Sequence, residues 1–216
     1  MTAVTVIVLL DNAPASPEIV AAIQDVVIET TLDGAGSLRL RLGTRQSPSG
    51  SWPLLDGDVF TPGASVKVGV SLGSNPLPTF LFAGYVASQS VVYGETQGGS
   101  SVEIGALDAT ALMNFEDKTV AWPNMPDGTI ASQILASYSL IPTTTVGGPV
   151  LSDPEGTTIQ RGTDVRFLRR LARRNGFELY VLPQASTGLE TATSKPCTGR
   201  ARPWQPSPCA PARRLE

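Results

Sequence analysis

Apolar and polar residues alternate with a period of two over much of the first hundred positions. The clearest case is "SLRLRLG" (37–43): Leu38, Leu40 and Leu42 fall on one side, Arg39 and Arg41 on the other. That is the signature of a half-buried strand. "VTVIVLL" (4–10), "IVAAIQDVVIETTL" (19–32), "SVKVGVSL" (65–72), "TFLFAGYVASQSVVY" (79–93) and "SSVEIGALDA" (100–109) read the same way, with Gly84 as a place where a long strand could bend. Turn signals separate them at Asp33-Gly34, Pro48 to Gly50, Asp56-Gly57, Pro62-Gly63 and Gly98-Gly99. Residues 1–107 are therefore expected to form one antiparallel β-barrel, with Leu38, Leu40, Leu42, Val66, Val68 and Val70 pointing inward.

The period changes after residue 107. "DATALMNFED" (108–117) predicts a short helix capped by Asp108. "DGTIASQILASYSL" (127–140) predicts a helix with Asp127 at its N-cap and Ile130, Ile134 and Tyr138 on one stripe beside Leu135. A third helix is expected from 164 to 175, capped by Thr163 or Asp164, with Gly176 in the left-handed position that ends it. "FELYVLP" (177–183) then reads as a strand. The order helix, helix, helix, strand implies a small α/β domain over 108–183. From 184 to 216 no apolar period remains, and five prolines and five basic residues predict a disordered tail. A strand as apolar as "FELYVL" asks for a partner, and none is evident after it, so the tail reads as truncated or out of frame. The fold class expected is α+β, mainly β: a barrel, a small α/β domain and a disordered tail.

Charge sharpens this picture. The 216 residues have a formal net charge of −3, but residues 1–160 hold 5 Lys+Arg against 15 Asp+Glu, residues 161–178 hold 6 against 2, and residues 179–216 hold 5 against 2. An acidic body argues against general nucleic-acid binding, which needs cations spread over a surface. With no histidine, Ser-His-Asp and Cys-His catalysis and His-ligated metal sites are excluded. Cys197 and Cys209 lie in the Pro-rich tail, where they support neither a disulfide framework nor a zinc site. No apolar run reaches membrane-spanning length and no export signal opens the chain, which suggests assembly in the cytoplasm. No cofactor or metal motif is present.

The basic island is "RGTDVRFLRRLARRNGFELYV" (161–181). At about 100° per residue, Arg166, Arg169, Arg170, Arg173 and Arg174 share an arc of about 140°, opposite Val165, Leu168, Leu171 and Ala172, with Phe167 at the border. This face can be a solvated surface, a docking face for an acidic partner subunit, or a nucleic-acid contact. The last lacks the interleaved aromatics that such contacts use. The nearest acidic pair in a turn, Asp56 and Asp58, could in principle serve a glycosidase-type reaction such as peptidoglycan hydrolysis. Residues so close in "LDGDVF" fit the turn's own hydrogen bonds better.

Several segments, in order, resemble the late-control protein D and VgrG-like tail-hub family of phages and contractile injection systems. "FLRRLARRNGFELYV" is similar to that family's helix-to-strand segment, "LDGDVFTPGASVKVGVSLG" and "FLFAGYVASQSVVY" to successive barrel strands, "SVEIGALDATALM" to the next strand and aspartate, and "IASQILASYSL" to a following helix. The resemblance covers about residues 15–182, and Arg173-Arg174 departs from it where the family tends to be acidic. It implies a non-enzymatic baseplate hub that ends up in a virion tail or injection particle. As a homotrimer, such a hub joins a tail tube protein to a spike, with no cofactor. Two tube-like barrels per subunit would let three chains match a six-fold ring. Only the first barrel is recognisable here, so the chain is expected not to cap a hexameric tube alone.

Overall fold

In a computed structural model the chain forms two compact units: residues 1–109 with 182–190, and residues 110–181 with the chain from 191. The structure describes residues 4–31, 34–56, 59–73, 77–94, 99–143 and 157–196.

The first unit is built from β1 (Val4–Leu10), β2 (Ala13–Pro14), α1 (Pro17–Ala22), β3 (Ile23–Glu29), β4 (Ser37–Gly43), α2 (Pro53–Asp56), β5 (Ser65–Leu72), β6 (Thr79–Val92) and β7 (Ser101–Leu107). Its strands form one seven-stranded sheet, in the order β2-β1-β5-β6-β7-β4-β3, with every recorded neighbour antiparallel. Val8 of β1 and, near the other end of the strand order, Val26 and Ile28 of β3 pack on the same core cluster. The sheet therefore curls around a single core as a small barrel does, although the recorded ladder ends at β2 and β3 without joining them.

Leu38, Leu40, Leu42, Val66 and Val68 are all 2% exposed or less. Arg39 and Arg41 point outward and are exposed. Val70 is only half-buried, although β5 runs in unbroken register along β1; the bulge beside it places the extra residue, Leu81, in β6. Gly84 answers a close approach, since a Cβ there would strike the Leu107 carbonyl and the Phe82 ring. The irregularities in β6 lie instead at Leu81, facing β5, and between Val86 and Ser88, facing β7.

One expected strand is only half a strand. Residues 17–22 turn helical because Ser16 accepts the Ile19 N–H at 3.4 Å, Pro17 opens the first turn and Glu18 sits in it. The helix lowers Ile19 into the core.

The second unit corrects the order expected after residue 107. It comprises α3 (Ala109–Leu112), β8 (Asp117–Trp122), α4 (Asp127–Ser137), β9 (Ile141–Thr143), β10 (Thr158–Thr163), α5 (Asp164–Arg174), β11 (Phe177–Pro183) and β12 (Glu190–Pro196), a few terminal residues of α3, β11 and β12 counting with the first unit. β8 and β10 form an antiparallel ribbon. β11, β12 and β9 form a second sheet, with β12 parallel to β9. Ile130, Ile134, Leu135, Leu140, Val165, Phe167, Leu168, Leu171, Leu179 and Val181 are buried.

The tail is also corrected. Residues 184–196 are not disordered: a turn closed by Gly188 N–H to Gln184 O at 2.7 Å leads into β12. β12 is the partner that "FELYVL" needs. Its β-branched Thr191 and Thr193 suit a pleated surface, and the small Ala192 between them is fully buried. The turn itself belongs to the first unit, where Phe80 N–H donates to Ala185 O at 2.9 Å. Residues 197–216, with both cysteines, lie outside the described residues, as do Asp33, Gly57, Asp58, Gly98 and residues 144–156.

Candidate functional site

The apolar side of α5 faces inward as its sequence requires, with Val165, Phe167, Leu168 and Leu171 buried. Its arginines divide into two groups. Arg166, Arg170 and Arg173 are exposed and Arg169 is half-buried. Arg170 donates to the Arg161 carbonyl at 2.7 Å and lies over the Phe167 ring at 5.7 Å.

Arg174 is structural. It grips the carboxylate of Asp127, Nε to Oδ2 at 2.8 Å and Nη2 to Oδ1, while Asn175 Nδ2 donates to the same Oδ2 at 2.7 Å. Asp127 is only 3% exposed. It was expected to cap α4. Pro126 holds that position instead, and Asp127 is the first helical residue. There its charge still meets the positive helix end, while the carboxylate turns to Arg174.

A second buried carboxylate organises the other end of α5. Thr163 is the N-cap but makes no side-chain cap bond, and its hydroxyl donates to Asn114 Oδ1 at 3.1 Å. Asp164 accepts from Lys118 Nζ at 2.7 Å and Tyr138 Oη at 2.6 Å on one oxygen, and from Gln160 Nε2 on the other. Burial alone would push this carboxyl up. The hydrogen bonds from Lys118, Tyr138 and Gln160, with the Lys118 charge, outweigh burial and hold it below its ordinary value. The hydrogen bond to Asp164 raises Lys118 in turn, and burial followed by the same carboxylate raises Tyr138. Sequence reasoning assigned Asp127 and Asp164 to caps and Tyr138 to an apolar stripe, and passed over Lys118 and Gln160; Lys118 and Tyr138 reach Asp164 across 46 and 26 residues, while Gln160 lies only four residues away but carries no pattern of its own.

In the first unit Asp108 Oδ2 accepts the Gly36 N–H at 2.6 Å, and the Asp108 N–H returns a bond to Gly36 O at 3.0 Å. Glu190 accepts the Ala109 N–H at 3.2 Å; burial, then the nearby Asp108 charge, push its carboxyl up. The outward side of β4, β6 and β7 carries a shallow groove of about 290 Å³ lined by Arg39, Ser88, Glu103 and Gly105, where Arg39 and Glu103 pair at 3.6 Å. Asp56 spends one oxygen on the Trp52 N–H at 2.6 Å, four residues back at the start of α2, while Asp58 lies outside the described residues. Among the described residues no three His, Cys, Asp or Glu gather as a metal site, and no helix is long and apolar enough to cross a membrane.

No protein-family model matches the sequence, and no curated protein matches it. Solved structures do match the fold. The 43 kDa tail protein of prophage MuSo2 from Shewanella oneidensis superposes with a TM-score of 0.57 at 15% identity, over 88% of this chain and 53% of its own. A tail protein from Neisseria meningitidis MC58 gives 0.55 at 14%, over 88% and 50%. An E. coli component of the type VI secretion system, described as similar to the T4 bacteriophage tail proteins gp27 and gp5, gives 0.53 at 12%, over 80% and 47%. The chain thus spans about half the length of these proteins, and over that span its mainly β architecture is the fold of phage and injection-system tail proteins.

Proposed function

We propose that this chain is a structural component of a phage tail or contractile injection machine, of the hub type that joins a tube to a spike, with no enzymatic role. The observation that carries the reading is the shared backbone with tail proteins over 88% of the chain. In this reading Arg166, Arg170 and Arg173, with the half-buried Arg169, form a docking face for a carboxylate-rich surface of a neighbouring tail subunit or a second copy in a homotrimer. Arg174 belongs to that arc by sequence, but it serves the fold by holding Asp127.

The test is binding to tube and spike proteins of a tail system, followed by light scattering at low and moderate salt. A complex that forms with the wild type and is lost in Arg166→Glu/Arg170→Glu/Arg173→Glu, with the fold retained, supports the reading. Salt-dependent DNA binding without tail binding would favour a nucleic-acid module, and turnover of peptidoglycan would favour a hydrolase.

A further inference from the structure

The residue that ends α5 carries a chemistry unrelated to docking. Asn175 is followed by Gly176, whose missing side chain leaves its backbone nitrogen unshielded. In such a pair the glycine nitrogen can attack the asparagine Cγ. The N–Cγ bond forms, the Cγ–Nδ2 bond breaks, and Nδ2 departs as ammonia with the proton lost by the attacking nitrogen. One water then opens the cyclic imide at either carbonyl, giving aspartate or isoaspartate. The balance is one water in and one ammonia out, with no oxidant or reductant.

The fold opposes each step. Ring closure needs the Gly176 nitrogen beside Cβ of Asn175. At ψ 5° that nitrogen instead eclipses the residue's own nitrogen, a third of a turn from Cβ. The departing group is also held, since Nδ2 donates to Asp127 Oδ2 at 2.7 Å and to the Leu171 carbonyl at 2.8 Å. The nucleophile is engaged too, its N–H donating to Arg173 O at 3.2 Å. Conversion would exchange two donors for an anion facing the buried Asp127 carboxylate and the Leu171 carbonyl, with Arg174 left to neutralise both acids.

We propose that Asn175-Gly176 is a spontaneous deamidation site, that the Asp127 clamp sets its rate, and that its conversion releases the last turn of α5. Peptide mapping by mass spectrometry, after incubation of the full chain in mildly alkaline buffer, reads the reaction at this one position. Native wild type should convert at least about tenfold more slowly than the same chain in concentrated urea, since a closed helix end reacts only when it opens. Asp127→Asn, with its circular dichroism unchanged, should convert severalfold faster than wild type. If that variant does not fold, hydrogen exchange at the Gly176 amide of the wild type decides: exchange and conversion should rise in parallel as urea is added below the unfolding transition. Equal rates in native and urea-treated wild type would overturn the proposal. So would a folded Asp127→Asn that converts no faster, exchange and conversion that do not move together, or an unfolded chain in which Asn175 stays intact while a free Arg-Asn-Gly-Phe peptide converts.

Discussion

Arg174 Nε lies 2.8 Å from Asp127 Oδ2, joining the last turn of α5 to the first turn of α4 across 47 residues of sequence. The acid is buried and the Arg174 side chain is 39% exposed. Full burial would make removal of one partner cost roughly 3–5 kcal/mol. Solvent access on the arginine side reduces that, so Arg174→Gln is expected to destabilise the chain by about 1–2 kcal/mol. Arg166→Gln should leave the urea midpoint unchanged. Equal midpoint shifts for the two variants would contradict the division of the arginines.

The buried side of α5 gives the opposite contrast. Leu168 is 2% exposed and Leu40 is fully buried. Truncating either to Ala should cost roughly 2–5 kcal/mol, by lost transfer free energy and the cavity left behind. Chemical denaturation checks both, and a shift below about 1 kcal/mol in either would place that side chain outside its core.

Acid should act on the buried Asp164 and the half-buried Glu190 in opposite senses. Asp164 is held below its ordinary value near 3.8, so its contribution is complete above that value and is lost as pH falls through the lower one. Glu190 is pushed above 4.5, so the folded state binds the extra proton and its contribution falls as pH rises through the raised value. Urea midpoints measured against pH should therefore lose their acid-side decline in Asp164→Asn. Glu190→Gln should instead gain relative to wild type as pH rises above 4.5. The same slope in both variants would contradict the assignments.

Gly188 tests the turn before β12. Its φ is +64°, and a Cβ there would meet the Phe80 ring at 2.9 Å. Gly188→Ala should cost about 1–3 kcal/mol, from backbone strain together with crowding. Ending the chain after Pro183 should go further, because it removes β12 and leaves β11 without its neighbour. Thermal melts and light scattering read both, and a chain cut at 183 that melts like one cut at 196 would contradict the structural role of β12.

What was legible in the sequence follows from how each element is buried. β4 and β5 have one face in an apolar core and one in water, so alternation gave their bounds. β8 is exposed along most of its length, and β10 turns Thr158 and Gln160 inward, so neither carries an apolar period. α1 hid inside an apolar run, and only Ser16-Pro17-Glu18 marked its start. β12 buries Ala192, which hydropathy barely registers. The amphipathic character of α5 was plain. That Arg174, still exposed, would reach from this face to Asp127 depended on tertiary geometry, which no local pattern encodes.

A chain that is a built-in part of a tail or injection particle, as proposed, should be found in the purified particle. Quantitative mass spectrometry of intact particles, purified from cells that make the chain, tests it most directly. Peptides of this chain should appear in a fixed ratio to tube and spike proteins, be retained through salt washes, and be lost when Arg166, Arg170 and Arg173 are reversed to Glu. Particles that assemble and infect or inject normally with no trace of the chain would contradict it.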